Sequence, residues 1–146
     1  MFKNILVPHD GSELSKRGLE KAVALAKSVG AKVSGFHVAP DLDSSVRAYL
    51  PEAAYLSQNF KAQASEAAKD VLQEVKEICA KEGVDCTTDF VVSEFIADAV
   101  LQAAKDKGCD LIAMASHGRT GIARVMLGSE TQKVLAHATI PVLVMR

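Results

Sequence analysis

An excess of charge of either sign is missing: 17 Lys and Arg stand against 18 Asp and Glu, a formal net charge of -1. A chain so balanced has no global electrostatic pull toward nucleic acid or an anionic membrane, so neither is an expected partner. Long apolar runs are missing too. The opening "MFKNILVPHDG" has an apolar stretch too short for a signal peptide and no small-residue cleavage site, and no window approaches the length of a membrane span. The expected location is the cytoplasm. Cysteine is scarce: Cys79, Cys86 and Cys109 are odd in number and lack the C-x-x-C spacing of zinc or redox sites, so they read as structural thiols in a reducing compartment. Hydrophobic residues at 49% and charged residues at 24% give no reason to expect disorder. With 146 residues, a single domain spanning 1–146 can bury roughly two-thirds of the surface its unfolded chain exposes.

What is present is an alternation. "NILVP" is a short apolar run stopped by Pro8 and reads as a buried strand. From Ser12 to about Val29, Leu19, Val23 and Ala26 recur at helical spacing, with Ser12 placed as an N-cap and Gly30 as the stop. "AKVSGFHVAP" is a second strand, and the polar, proline-bounded "DLDSSVRAYLPE" connects it to a long helix over residues 53–82 that carries the stripe Leu56, Phe60, Ala64, Ala67, Val71, Val75 and Ile78. "DCTTDFVV", "DLIAMA" and "PVLVMR" read as three more strands, separated by helices in "EFIADAVLQAAKDKG" and "SETQKVLAH". Near-continuous apolar strands joined by crossover-length helices predict an α/β fold: a doubly wound, five-stranded parallel sheet in the order 3-2-1-4-5 with helices on both faces. Ligands of such sheets lie at the carboxyl ends of the strands where the winding reverses, between the first and fourth.

The segment after the fourth strand, "MASHGRTGIARVMLGSETQ", carries chemistry suited to that place. Phosphate needs backbone N–H groups unobstructed by Cβ atoms, and a helix N-terminus adds free donors and the positive end of its dipole. Gly118, Gly121 and Gly128 permit positive φ and close approach. Ser129 begins the last helix with Gln132 at capping-box spacing, leaving its hydroxyl for the cap or for a phosphate. The loop is neither a Walker A sequence nor Gly-x-Gly-x-x-Gly. Glycines that merely shape a surface loop are the plain alternative.

The segment resembles the nucleotide loop of the universal stress protein family: Gly, two residues, Gly, nine residues, Gly, then Ser or Thr. Gly118, the nine residues that follow, and Gly128-Ser129 match it, with Ala115 in place of the first glycine. The similarity runs from "ILVPHDGSELS" through "DLIAMASHGRTG" to "HATIPVLVMR". It implies a dimeric α/β domain, one branch of the family binding ATP or AMP and another no nucleotide. Carried over by position, Asp10 is expected near the ribose or a metal-bound phosphate, Pro8 beside the base, and the Val38 backbone against adenine. The same resemblance puts Met114 and Ala115 along base and ribose, Gly118 and Gly128 at the phosphates, and Ser129 and Thr131 as hydroxyl donors. Glu130 stands where the family often has an apolar residue, so its backbone N–H is the group expected to serve. Ser93-Glu94-Phe95 replaces a frequent Gly-x-Pro turn. An N-cap role for Asp10 and core packing for Pro8 and Val38 are the alternatives.

Other chemistry is weaker. His9, His37 and His117 fall at strand ends but share no helix at metal-ligand spacing. Ser116-His117 suggests a nucleophile elbow, yet the preceding glycine of that motif is Met114. Arg119 and Arg124 are read either as shielding phosphate or as solvated. The last strand, Pro141 to Met145, is an apolar edge that pairing with its own copy would cover. The leading expectation is therefore a stress-response protein binding ATP or AMP, with Mg2+ through the phosphates, as a homodimeric ligand-gated module for a protein partner. A weak Mg-dependent ATPase and an interaction protein without nucleotide are the alternatives.

Overall fold

A computed structural model describes residues 1–41, 49, 53–117 and 126–146, with the helical backbone alone for 53–58 and 60. Most of the connection after Pro40, together with Gly118, Arg119, Gly121 and Arg124, lies outside the described residues. The chain runs β1 (Asn4–Pro8), α1 (Glu13–Val29), β2 (Lys32–Ala39), α2 (Ala53–Glu82), β3 (Cys86–Val92), α3 (Ile96–Asp106), β4 (Leu111–Ala115), α4 (Ser129–His137) and β5 (Val142–Met145). All strand pairs are parallel and the order is β3-β2-β1-β4-β5, as the alternation predicts.

Strand alternation sorts the core into two layers. Ile5, Val7, Val33, Leu111 and Ala113 face α1 and α2, where Leu19, Val23, Val75 and Cys79 complete one buried cluster. Leu6, Phe36, Ile112 and Met114 face the other way, against Val100 of α3 and Val134 of α4. Both sheet faces are thus covered, which is why the central strands are apolar throughout. Helix α1 is capped as its sequence predicts: the Ser12 side chain accepts from Ser15 N–H, and Gly30 ends it.

The last helix begins at Ser129 as expected but is capped differently. Gly128, at φ -60°, is the N-cap and offers no side chain, while Ser129 is already helical. Gln132 does not close a capping box; its Nε2 donates 2.7 Å to the carbonyl of Leu127. Gly128 therefore needs its missing Cβ for close approach rather than for a positive φ. A Cβ there would lie 3.3 Å from the Ser116 carbonyl oxygen and 3.4 Å from His117 Cα.

Candidate functional site

The winding reverses between β1 and β4, and in sheets of this kind the ligand crevice lies at the carboxyl ends of those two strands. On the β1 side, His9 is the first residue past the strand, and its side chain is completely buried. A buried imidazole needs partners for both nitrogens, and this one has them: Nδ1 lies 2.7 Å from Ser15 Oγ and Nε2 lies 2.7 Å from Glu74 Oε2. The backbone is tied as well, His9 N–H donating 2.9 Å to Phe36 O and His37 Nδ1 lying 2.8 Å from His9 O. Ser15 Oγ also accepts from Asp10 N–H at 3.2 Å, and the Asp10 carboxylate accepts from Ser12 N–H at 2.9 Å. Asp10 is therefore not the N-cap of α1; it stands two residues earlier and steadies the turn, while Ser12 caps.

Glu74 connects this turn to the long helix. Lys16 Nζ sits 3.1 Å from its second oxygen. Burial works against ionisation of Glu74, but the hydrogen bonds and charges of His9 and Lys16 outweigh it and hold the carboxyl below the ordinary carboxylate range. Hydrogen bonding to Glu74 in turn raises Lys16 above the usual lysine range. Nothing local in the sequence points to Glu74, which lies 65 residues from His9.

Pro8, Val38 and Met114 occupy the carboxyl ends of β1, β2 and β4 and share the α3/α4 face by strand alternation. Met114 is buried in that face's core cluster and Val38 packs on it. These three form an apolar wall below the crevice, at once core and candidate base-facing surface.

Ala115 is the last residue of β4, paired with Met145, so its backbone is extended. A Cβ at Gly18 of α1 would lie 3.4 Å from Ala115 Cβ and 3.5 Å from Ala115 N. The helix thus gives up a side chain where the strand has gained a methyl, and Ala115 fits without a left-handed φ or a clash.

The β4 side is otherwise built from backbone. Gly128 N–H donates 2.8 Å to the Ser116 carbonyl, and the first helical bond of α4 is Gln132 N–H to Gly128 O. The N–H groups of Ser129, Glu130 and Thr131 precede that bond and have no partner among the described residues. Thr131 differs from expectation: its buried hydroxyl turns back to the carbonyls of Ala115, at 3.2 Å, and Ser116, at 3.3 Å. Its backbone N–H, like those of Ser129 and Glu130, is what it presents at the helix end. The Glu130 side chain has a separate task, Oε2 accepting 2.9 Å from Ala97 N–H at the start of α3. Phe95 is the N-cap of α3 and cannot cap it with a side chain, so a residue from another helix does. Ser93 Oγ meanwhile accepts from Phe95 N–H at 3.0 Å and shapes the turn that departs from Gly-x-Pro.

Ser116 and His117 do face each other, Oγ to Nδ1 at 3.1 Å, but Ser116 is only 5% exposed and is no accessible nucleophile. His117 Nε2 is buried with no hydrogen-bond partner among the described residues. An orphaned buried nitrogen costs about 1–3 kcal/mol, so a polar ligand at this end of β4 would relieve it. Among the described residues no group of three His, Cys, Asp or Glu is placed to hold a metal, and no helix is long and apolar enough to cross a membrane.

A doubly wound sheet with a crevice between β1 and β4, a tied aspartate on one side and an uncapped helix start on the other, defines the class of α/β protein. The chain belongs to the universal stress protein family, which it matches over residues 1–146. It is 35% identical over 151 residues to universal stress protein YxiE of Bacillus subtilis, with both chains covered completely. Its structure is similar to that of MJ0577 from Methanocaldococcus jannaschii at a TM-score of 0.85 and 28% identity, covering 99% of this chain and 96% of that one. A universal stress protein from Archaeoglobus fulgidus in complex with dAMP shares the fold at a TM-score of 0.65 and 21% identity, covering 99% and 98%.

Proposed function

We propose that this stress-response protein binds an adenine nucleotide, ATP or AMP, in the β1/β4 crevice and acts as a dimeric, ligand-gated regulatory module in the cytoplasm. The observation that carries the reading is the start of α4, where three backbone N–H groups without partners among the described residues stand at the helix's positive end, with the buried His117 Nε2 at the end of β4 likewise without one. The apolar wall of Pro8, Val38 and Met114 suits a base, and Asp10 suits a ribose hydroxyl or Mg2+ brought by the phosphates. A protein of the same fold holds dAMP, which supports the adenine choice.

Calorimetric titration of the purified chain with ATP and with AMP, with and without Mg2+, tests this. Binding of one nucleotide per chain is expected, weakened at least tenfold in Gly128→Val, whose side chain would push the start of α4 away from Ser116. No heat with either nucleotide, and none carried through purification, would overturn the reading.

The dimer half of the proposal rests on β5, which pairs with β4 on one side and forms an edge of the sheet on the other, with Leu143 exposed. Light scattering should give twice the chain mass. Val144→Pro, at a position whose N–H points away from β4 by alternation, should give the monomer. A wild-type monomer would remove this part alone.

A further inference from the structure

The long helix α2 turns Ala68, Leu72, Val75 and Cys79 inward as one buried stripe. It lies directly on β2: a Cβ at Gly35 would meet Val75 Cγ1 at 2.6 Å and Thr88 Cγ2 at 3.5 Å. The β2/β3 register pairs Val33 with Cys86 and Gly35 with Thr88, so Cys86 and Thr88 share the face that α2 covers. The chain between helix and strand is short and tightly turned, Val84 N–H donating 2.9 Å to the carbonyl of Cys79. Cys86 thus packs on the same apolar cluster that contains Cys79, its Sγ lying 3.6 Å from the Thr87 carbonyl oxygen. Cys79 is fully buried, whereas Cys86 is partly exposed.

From this placement we propose that Cys79 and Cys86 are an oxidisable pair, Cys86 reacting with a peroxide and Cys79 then closing a disulfide between the last turn of α2 and the first residue of β3. Interaction with the Cys79 thiol, the Gly35 backbone and the charge of Lys76 lower the Cys86 pKa against the opposing effect of burial, while the same interaction and then burial push Cys79 up. Cys86 is accordingly the more acidic of the two thiols and the one that solvent reaches. Its sulfur attacks one peroxide oxygen, the O–O bond breaks, Cys86 becomes a sulfenic acid, and the other oxygen leaves as water after taking a proton. The Cys79 sulfur then attacks that of Cys86, the S–S bond forms, the S–O bond breaks, and the Cys79 proton leaves with the hydroxyl as a second water. Two thiols have lost two electrons and one peroxide has become two waters. The bond would tie β3 at the amino end of the sheet, away from the crevice, so it is independent of nucleotide binding.

The reduced full-length protein is treated with hydrogen peroxide and followed by intact mass and non-reducing tryptic mapping, with circular dichroism to check the fold of each variant. Wild type and Cys109→Ser should each lose two hydrogens per chain and link the peptide holding Cys79 to the one holding Cys86. Cys79→Ser should stop at a Cys86 sulfenic acid captured by dimedone, and Cys86→Ser should consume peroxide at least about tenfold more slowly. A wild type that gains oxygen without losing two hydrogens, that links Cys109 or a second chain, or that is matched in rate by Cys86→Ser overturns the proposal.

Discussion

The two walls of the β1/β4 crevice are made of different material. On the β1 side, side chains do the holding: the His9 ring bridges Ser15 and Glu74, Ser15 receives the Asp10 N–H, and Lys16 completes the network. On the β4 side the fit depends on what is absent, since Gly128 brings its backbone against Ser116 and His117, and Gly18 leaves room for Ala115. A wall of side chains fails when an atom is removed; a wall of close backbone fails when one is added.

Single substitutions can break that contrast. The largest effect is expected for His9→Ala, which takes one partner from each of the Ser15 hydroxyl and the Glu74 carboxylate, leaves a cavity where the buried ring stood, and should cost about 3 kcal/mol in urea unfolding. A loss under about 1 kcal/mol would mean that the backbone, not the ring, holds the turn. Gly128→Val should cost roughly 2 kcal/mol because its neighbours at the contact are backbone atoms that yield little; Gly128→Ala should cost less. Equal losses for the two would show that the strain lies elsewhere.

Glu74→Gln sharpens the β1 side through pH. The folded pKa of Glu74 is depressed, so its stabilisation is complete above the unfolded value of about 4.3 and is lost as pH falls through the folded one. The variant should be less stable near neutrality by no more than about 1 kcal/mol, the scale of a partly exposed ion pair, with the two stability curves converging in acid. Parallel curves down to the acid limb would remove the carboxylate's charge from the account. A similarly small effect is expected from Thr131→Val on the β4 side, about 1 kcal/mol for a hydroxyl shared between two carbonyls. Thr131→Val should leave nucleotide titration nearly unchanged, since its backbone N–H survives; a large affinity loss would return the hydroxyl to the ligand.

Much of this was legible beforehand, and for local reasons. Ser12 and Gly30 mark the ends of α1 because capping and positive φ are properties of neighbouring residues. Ser129 misled: the same Ser-x-x-Gln spacing that signals a capping box also fits a helix whose cap is the preceding glycine, and the close approach of Gly128 to Ser116 decided between them. The task of the Glu130 carboxylate carried no local signal at all, since it serves the start of α3, 33 residues away in sequence.

The sequence by itself determined the elements, their order and the end of the sheet at which the crevice opens. Periodicity, caps and right-handed crossovers are enough for that, being either local or universal. Only the tertiary structure decided which residues meet: His9 with Glu74, Gly18 with Ala115, Glu130 with Ala97, and Cys86 with the core cluster that holds Cys79. Each of those meetings depends on the rotation and height at which a helix settles on the sheet, and packing of the whole core sets those.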